Sequence, residues 1–314
     1  ILGPDARYFQ HDLADLAAVQ PLTERAEFLI DCLDLPAAAG VPAAVWEKFQ
    51  IEHLCDDGLF RIERKSRQIA WSFTTAAEAI ADAILAGRDS VFVSIQQEEA
   101  AEKIRYAKAV LSHLDVTGIP AVKRDNTFGI EFSTGARLSS LPSRPPRGRA
   151  RSNLYYDEFA HIANDRQIYA AGLPVISKGG RIRIGSSPFG ATGLFWEIDT
   201  ETIRAYPGYT RAITSWFDVS YFCTDPTAAS ASALAGEPIA ERVRLFGTAR
   251  IREIYDNIDE DQFAQEYEGT YIDEAASFHT WQEIAAATVP DLICEIVTCT
   301  GTEIASALAA IDTT

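Results

Sequence analysis

Lys65 and Ser72 bracket the segment KSRQIAWS, which has the residue types of a loop that binds phosphate. A lysine neutralises phosphate oxygens, and a hydroxyl that closes the loop can bind the Mg²⁺ that accompanies a nucleotide. The usual spelling of such a loop is G-x-x-x-x-G-K-S/T, because glycine lets backbone N–H groups close on phosphate. Here Lys65 and Ala70 stand at the two glycine positions and Trp71 stands at the lysine position. The spelling alone therefore does not identify the loop.

Asp157 and Glu158 are the second group of residues that could do chemistry. They follow the short apolar run NLYY at residues 153–156, and ligands of open α/β sheets bind at the carboxyl ends of the strands. In an ATPase the first acid holds Mg²⁺ while the second polarises the attacking water. The alternative is a solvated turn after a strand. A strand, a loop and a helix upstream favour the catalytic interpretation.

The segments around KSRQIAWS have the order that a phosphate-binding loop needs. LFRIE at 59–63 predicts a strand, and the Ala-rich segment 74–87 predicts a helix that ends at a glycine. SVFVSI at 90–95 predicts a second strand, and the amphipathic segment 97–114 predicts a second helix. Strands that alternate with helices form a parallel sheet. The beginning of the chain therefore predicts an α/β fold.

The rest of the chain has weaker patterns. The segment 127–143 alternates apolar and polar residues around Thr134-Gly135, which predicts a hairpin. The other predicted elements are a helical approach at 8–50, a short buried strand within 152–162 that ends in the two acids, and another within 181–190 that ends in Ser-Ser-Pro. Further along, the pattern predicts an aromatic strand near 210–217, a mobile loop at the Ala- and Ser-rich segment 226–236, and a charged helical region at 240–268.

Composition limits the class of protein. The chain has 314 residues and 47% hydrophobic content, enough for a sizeable core in one large domain with an appendage. No apolar run reaches the roughly 18 to 20 residues that span a bilayer, so no membrane partner is expected. A net charge of −17 argues against a surface coated with nucleic acid. Basic clusters at 61–67 and 137–151 could still contact DNA locally.

Four motifs resemble, in order and approximate spacing, those of the ATPase domain of phage terminase large subunits, and most of all those of Mu-like prophages. They are KSRQIAWS, LYYDEFAH, IGSSPFG and FAQEYEGTYID. The resemblance covers roughly residues 42–280. It implies an α/β P-loop NTPase fold of the ASCE type, with a mostly parallel central sheet flanked by helices and a helical N-terminal portion.

One branch of that family places the phosphate-binding lysine at the start of the loop and an aromatic residue at the usual lysine position. Lys65 and Trp71 fit this variant. A lysine side chain is long enough to reach the phosphate site from either end of a compact loop. Ala70 departs from the family pattern. If its position demands a positive φ, the methyl group costs stability.

The resemblance implies a set of site residues and two cofactors, ATP and Mg²⁺. The nucleotide-binding positions are Gln50, Phe49, Lys65, Ser66, Arg67, Gln68, Ile69, Ala70, Trp71, Ser72, Ser186 and Ser187. The catalytic residues are Glu158, Arg147 and Arg67, and the metal ligands are Ser72 and Asp157. Glu158 would activate water, and Arg147 would act in the active site of a neighbouring subunit.

Two of these assignments have plain structural alternatives. Gln50 would bond the adenine edge with Phe49 or Trp46 stacked nearby, or it would be a surface glutamine beside a core aromatic residue. Ser186 and Ser187 would sense the terminal phosphate, or they would end a strand in an ordinary turn.

Structural alternatives also exist for other candidate residues near Asp157 and Glu158. Arg147 would be an arginine finger, or a surface arginine that pairs with one of the many acids of this chain. His161 is predicted to pack or to form hydrogen bonds rather than to transfer protons. Glu266 and Tyr267 are predicted to have a structural role at the exit from the ATPase core.

The resemblance implies ATP hydrolysis that drives double-stranded DNA into a procapsid, in the cytoplasm of the bacterial host. Expected partners are double-stranded DNA, a portal protein, a small terminase subunit, and further copies of the chain in a ring, with a monomer as the form in isolation. The alternatives are a helicase-like DNA-remodelling ATPase and a nucleotide-binding structural module without turnover.

Three regions are predicted. Residues 1–45 form an N-terminal helical segment, 46–265 the P-loop ATPase core, and 266–314 a C-terminal segment leading toward a nuclease domain. No nuclease motif is recognisable after residue 280. The expectation is therefore an ATPase fragment or a split subunit, without nuclease activity.

Overall fold

A computed structural model describes residues 21–35 and 46–272, and eight of its strands form a single sheet. The strands are β1 (Phe60–Lys65), β2 (Ser90–Ser94), β3 (Val122–Asn126), β4 (Gly129–Phe132), β5 (Arg137–Pro142), β6 (Asn153–Asp157), β7 (Ile182–Ser186) and β8 (Tyr209–Thr214). Their spatial order is β3-β4-β5-β2-β6-β7-β1-β8. Every pair from β5 to β8 is parallel, and only β4 runs antiparallel to its two neighbours.

Helices cover both faces of this sheet. They are α1 (Glu24–Cys32), α2 (Lys48–Cys55), α3 (Trp71–Ala86), α4 (Gln97–His113), α5 (Asp165–Ile176), α6 (Gly193–Thr200), α7 (Pro226–Leu234), α8 (Ile239–Phe246), α9 (Ala249–Tyr255) and α10 (Glu260–Glu268). Among the described residues, no helix combines the length and apolar character needed to cross a membrane.

The central strands are buried because alternate residues supply two separate cores. Phe92 of β2 and Tyr155 of β6 stack at 4.9 Å and belong to the cluster under α3 and α4. Val93 and Tyr156, the next residues along, belong to the cluster under α5 and α6. Near-continuous burial of this kind is typical of parallel strands that are covered on both faces. The mostly parallel sheet flanked by helices is the fold expected from the sequence.

Two details of the sequence prediction are wrong. The segment 226–236, expected to be a mobile loop, is mostly helix α7. Alanine has the highest helix propensity, Pro226 occupies the first turn, and the Asp225 side chain caps the helix by accepting from the Ala228 amide. Strand β3 was missed because it is a fully exposed edge strand, whose sequence VKRDN shows no apolar alternation.

The other predicted strands and helices among residues 46–272 lie close to their predicted positions, whereas helices α5 and α6 have no counterpart in the sequence prediction. The hairpin around Thr134-Gly135 is β4 and β5, and the first predicted helix begins three residues earlier, at Trp71. Most of segment 1–45 and all of 273–314 lie outside the described residues. The three-region division stays a prediction, and its boundary at 265/266 falls within helix α10.

Candidate active site

The carboxyl ends of three neighbouring parallel strands bring the candidate residues together. Strand β1 ends at Lys65, β7 at Ser186 and β6 at Asp157, and β7 lies between the other two. The register pairs Arg64 with Ser186 and Asp157 with Gly185, so the three strand ends are level. This is the edge of an open α/β sheet where ligands bind.

The loop that joins β1 to α3, residues 66–70, adopts an unusual backbone without any glycine. Gln68 and Ala70 have φ values of 59° and 61°, in the left-handed region. The loop is held by the Ser66 amide, which donates to the Thr214 carbonyl at 2.7 Å, and by the Arg67 amide, which donates to the Glu266 carbonyl at 2.9 Å. Ala70 is the N-cap residue of α3, and its methyl side chain cannot accept a hydrogen bond from the backbone amides of the first turn. Uncapped amides at a helix N-terminus are suitable partners for an anion.

Replacement of Ala70 by glycine is expected to stabilise the protein by about 0.5 to 1 kcal/mol. An L-residue in the left-handed region is strained by about 1 to 2 kcal/mol, and the greater freedom of glycine in the unfolded chain offsets part of the gain. Urea unfolding of Ala70→Gly against the wild type measures the difference. The matched control, Ala109→Gly inside α4, should lose about 1 kcal/mol. A loss of stability at both positions would contradict the strain argument.

Lys65 is 5% exposed and its ammonium lies among carboxylates. Its Nζ is 2.7 Å from Oε1 of Glu158 and 3.7 Å from Oδ1 of Asp157. Burial would lower the pKa of Lys65, but the charges of Glu158 and Asp157 outweigh burial, so the net shift of its pKa is upward. Lys65 is therefore a buried, charged group at the entrance to the loop.

Trp71, at the usual lysine position, fills the space beside β7. Its indole Nε1 donates to Oε2 of Glu63, and Nζ of Lys65 lies 5.9 Å from the centre of its ring. A Cβ atom on Gly185 would lie 2.4 Å from Cε2 of Trp71. Position 185 therefore has no room for a side chain while the indole is in place.

The side chains of Ser72 and Asp157 contact Lys103, a residue that the sequence motifs do not assign to the site. The Ser72 hydroxyl donates to Oδ2 of Asp157 at 2.5 Å. The Lys103 ammonium, from α4, donates to Ser72 Oγ at 2.8 Å and to the same Oδ2 of Asp157. Burial would raise the pKa of Asp157, but Lys103 and Lys65 lower it to about 2. Asp157 is therefore ionised at neutral pH.

The chemistry of these donors fits Mg²⁺. Mg²⁺ prefers oxygen ligands and usually takes only one or two from the protein, with water and phosphate oxygens completing the shell. Ser72 Oγ and Asp157 Oδ2 are such a pair, and a cation from Lys103 already contacts both. Within the described residues, no group of three His, Cys, Asp or Glu side chains could hold a metal ion by itself.

Glu158 connects the loop to strand β7. Its backbone is left-handed, with φ 52°, a strain that is common at functional sites. One carboxylate oxygen accepts from Lys65, and the other lies 3.4 Å from both the Ser186 hydroxyl and the Ser187 amide. Its side chain is 16% exposed, whereas that of Asp157 is 7% exposed. Glu158 is therefore the acid that solvent reaches more easily.

Arg67 and Glu266 form a second ion pair at the loop. Nε of Arg67 donates to Oε2 of Glu266, and an Arg67 terminal nitrogen lies 3.8 Å from Oε1 of Glu158. The hydrogen bond to Glu266 raises the pKa of Arg67. The Arg67 side chain is 41% exposed, so it can reach a ligand at the surface of the loop. The resemblance by itself implies only a structural role for Glu266.

The residues predicted to read adenine lie beneath the loop. The Gln50 side-chain oxygen accepts from the Glu47 amide at 2.9 Å, and its nitrogen donates to the Thr74 hydroxyl at 2.8 Å. That hydroxyl in turn donates to the carbonyl of Ala70. Phe49 is buried and packs in the same cluster as Ile69 and Trp71, whereas Trp46, also buried, belongs to the core under α3 and α4.

A buried ionic network lies behind Trp71. Nδ1 of His53 is 2.9 Å from Glu63 and Nε2 is 3.0 Å from Glu78, so both ring nitrogens face carboxylates. Burial would lower the pKa of His53, but the two carboxylates raise it. Nε of Arg183, on β7, donates to Glu78 at 3.3 Å. The network links the Trp71 indole to the strand that carries Ser186, and nothing in the sequence pattern indicated it.

Arg147 is not brought to this site by its own chain. It lies on an exposed turn, and its side chain makes no hydrogen bond or ion pair with the residues at 21–35 and 46–272. With Arg149, Gln167, Ala171 and Pro174 it lines a surface groove of about 550 Å³.

His161 lies close to the site, where its Nε2 is 3.3 Å from the Ser187 hydroxyl. Burial lowers the pKa of His161.

Comparison with solved structures finds similar folds among phage proteins. The large terminase of bacteriophage HK97 is 11% identical, with a TM-score of 0.53 over 79% of this chain and 55% of that one. The large terminase of a thermophilic bacteriophage is 12% identical, with a TM-score of 0.50 over 73% and 54%. The ATPase domain of the Thermus phage P74-26 large terminase is 15% identical, with a TM-score of 0.47 over 74% and 95%.

The first two likenesses show the fold, and the chain spans about half the length of those two proteins. Among curated protein sequences, none matches this chain. The Mu-like subtype stays a prediction. The protein family described as "Terminase large subunit, T4likevirus-type, N-terminal" matches residues 64–286. Because this match covers well over half of the 314 residues, the chain belongs to the terminase large subunit family.

Proposed function

We propose that this chain hydrolyses ATP and uses the energy to move double-stranded DNA into a viral procapsid. The observation that carries the proposal is the contact of Lys65, at the end of β1, and Ser72, in the first turn of α3, with Asp157 and Glu158 at the end of β6. Membership in a family of packaging motors supports the same reaction. The contacts supply the parts that phosphoryl transfer needs, namely cations for the phosphates, oxygen ligands for a metal, and an acid for water.

Lys65 and Arg67 would bind the phosphates of ATP. Both side chains now contact Glu158, and a triphosphate would compete with that carboxylate for their charges. Once the phosphates hold Lys65, Glu158 loses its closest ion-pair partner. The same binding event would therefore free the acid that has to act on water.

The metal would be held by Ser72 and Asp157. When bound, Mg²⁺ supplies positive charge to the β- and γ-phosphate oxygens. Asp157 is suited to this position because its pKa of about 2 keeps it ionised. Glu158 would orient the attacking water and accept its proton.

Ser186 and Ser187 would couple hydrolysis to movement. Both approach the carboxylate oxygen of Glu158 that Lys65 does not contact. A change at the γ-phosphate that moved Glu158 would thus reach the end of β7 directly. Gln50 and Phe49 would contact the adenine end of the nucleotide.

The partners follow from the same proposal. They are double-stranded DNA, a portal protein, a small terminase subunit and further copies of the chain in a ring, all in the host cytoplasm. Arg147 would reach the active site of a neighbouring copy. The regions 1–45, 46–265 and 266–314 are the proposed units, with no nuclease activity in them.

Phosphate release from ATP, measured with and without double-stranded DNA, tests this function. The wild type is expected to release phosphate with Mg²⁺ present and faster with DNA. Lys65→Ala should weaken ATP binding about 10- to 100-fold, because it removes a charged hydrogen-bond donor worth about 1.5 to 3 kcal/mol. Lys48→Ala, which removes an exposed lysine of α2, is the matched control and should bind normally.

Two results would contradict the proposal. ATP binding without phosphate release, even with DNA, would instead favour a structural module that holds a nucleotide. Unchanged ATP binding in Lys65→Ala would show that Lys65 is not the phosphate-binding lysine.

A further inference from the structure

Lys103 occupies a position where helix α4 otherwise buries apolar residues. The buried face of this helix consists of Ala100, Ile104, Ala107 and Val110, and Lys103 lies among them with its side chain 9% exposed. A buried ammonium is unfavourable unless ionic and hydrogen-bonding partners compensate for its lost hydration. The partners of Lys103 are Ser72 of α3 and Asp157 of β6, so its side chain connects α4 to the candidate site.

Lys103 contacts the two oxygen atoms that would hold the metal. Lys103 Nζ contacts Ser72 Oγ at 2.8 Å and Asp157 Oδ2, and these two oxygens are 2.5 Å apart. Lys65, the other cation at Asp157, is 3.7 Å away and faces the other carboxylate oxygen, Oδ1. The lysine of α4 and a divalent cation would therefore require the same side of Asp157.

We propose that Lys103 fills the position of the metal at Ser72 and Asp157 and must be displaced before a divalent cation binds there. The inference rests on the proposed metal site at Ser72 and Asp157. An ammonium and a divalent cation repel each other at contact distance, so they compete for the same two oxygens. The flexible four-carbon stem of lysine allows the ammonium to leave without movement of the helix.

This displacement has a consequence for the order of binding. Free metal has to overcome the charge of Lys103, whereas metal that arrives with ATP brings phosphate oxygens that complete its shell and attract the displaced ammonium. Lys103 would therefore select the metal–nucleotide complex over the free metal ion.

Titration of the protein with Mn²⁺ alone, followed by electron paramagnetic resonance, tests the proposal. Lys103→Gln should bind Mn²⁺ roughly 10- to 100-fold more tightly than the wild type, since a like charge at contact distance is removed. Lys108→Gln removes an exposed lysine of the same helix, which pairs with Asp125. This control should change the Mn²⁺ affinity by less than about twofold, because exposed distant charges are screened.

Further variants distinguish an error in the role of Lys103 from an error in the proposed metal site. Lys103→Met, whose straight apolar side chain suits the buried face of α4, should give the same gain as Lys103→Gln. An unchanged Mn²⁺ affinity in both, together with weakened binding in Asp157→Asn, would overturn the role of Lys103 and leave the metal site intact. Unchanged Mn²⁺ binding in Asp157→Asn, with and without ATP, would overturn the metal site and this inference with it.

The wild type provides a test that does not depend on the folding of any variant. Its affinity for Mn²⁺ should be at least about 10-fold higher with a non-hydrolysable ATP analogue than without it, because the phosphates compensate for the displaced ammonium. Equal Mn²⁺ affinities with and without the analogue would overturn the proposal.

Discussion

Glu158→Gln is expected to lower ATP turnover by roughly 10²- to 10⁴-fold while ATP still binds. A general base contributes about this much to a rate, and glutamine keeps the shape of the side chain but cannot accept a proton. ATP binding should even become tighter, because the carboxylate that pairs with Lys65 at 2.7 Å in the free protein no longer competes with phosphate.

Single-turnover phosphate release and nucleotide binding by calorimetry measure the two effects separately. Glu98→Gln removes an exposed carboxylate from the first turn of α4 and is the matched control. It should leave both quantities unchanged. Normal turnover in Glu158→Gln would reject this residue as the base, and weaker ATP binding would reject the competition between Glu158 and phosphate.

Arg147→Ala is expected to lower turnover in the proposed ring of subunits by roughly 10³- to 10⁵-fold, with ATP affinity near normal. Arginine fingers supplied by a neighbouring molecule have effects of this size, because they stabilise charge on the transferring phosphoryl group. The Arg147 side chain has no partner among residues 21–35 and 46–272 of its own chain. Because the proposed role places Arg147 in the active site of a neighbouring subunit, an isolated monomer should be slow.

Mixed rings provide the decisive measurement. Arg147→Ala subunits keep Glu158, and Glu158→Gln subunits keep Arg147, so a mixture should restore some turnover at shared interfaces. Arg144→Ala, in the same exposed segment, is the control and should stay active in the ring. Silent mixed rings, or a monomer that already hydrolyses ATP at the full rate, would count against action in a neighbouring subunit.

The sequence was sufficient to predict where the candidate site lies. Apolar strands followed by KSRQIAWS, by Asp157-Glu158 and by Ser186-Ser187 indicate residues at the ends of parallel strands, and the sheet places them side by side. The order of strands was not predictable, because strand pairing is a tertiary property. The position of β7 between β1 and β6 explains why the two serines approach Glu158.

Lys103 and His53 could not be assigned from their local sequences. Lys103 gives one signal, since it falls on the apolar face of an amphipathic helix, but its partner Asp157 is 54 residues away. His53 faces two carboxylates, Glu63 and Glu78, that come from a strand and a different helix. Such contacts depend on how helices dock on the sheet, and residue periodicity carries no information about docking.

The packing of Trp71 against Gly185 also limits how this protein could have evolved. An added side chain at position 185 would overlap the indole, and a smaller residue at position 71 would leave a cavity, with a loss of about 3 to 5 kcal/mol for a truncated buried tryptophan. Neither position can change first without loss. Trp71 and Gly185 are therefore expected to vary together among related sequences, with a side chain at position 185 only where the indole at position 71 has been replaced.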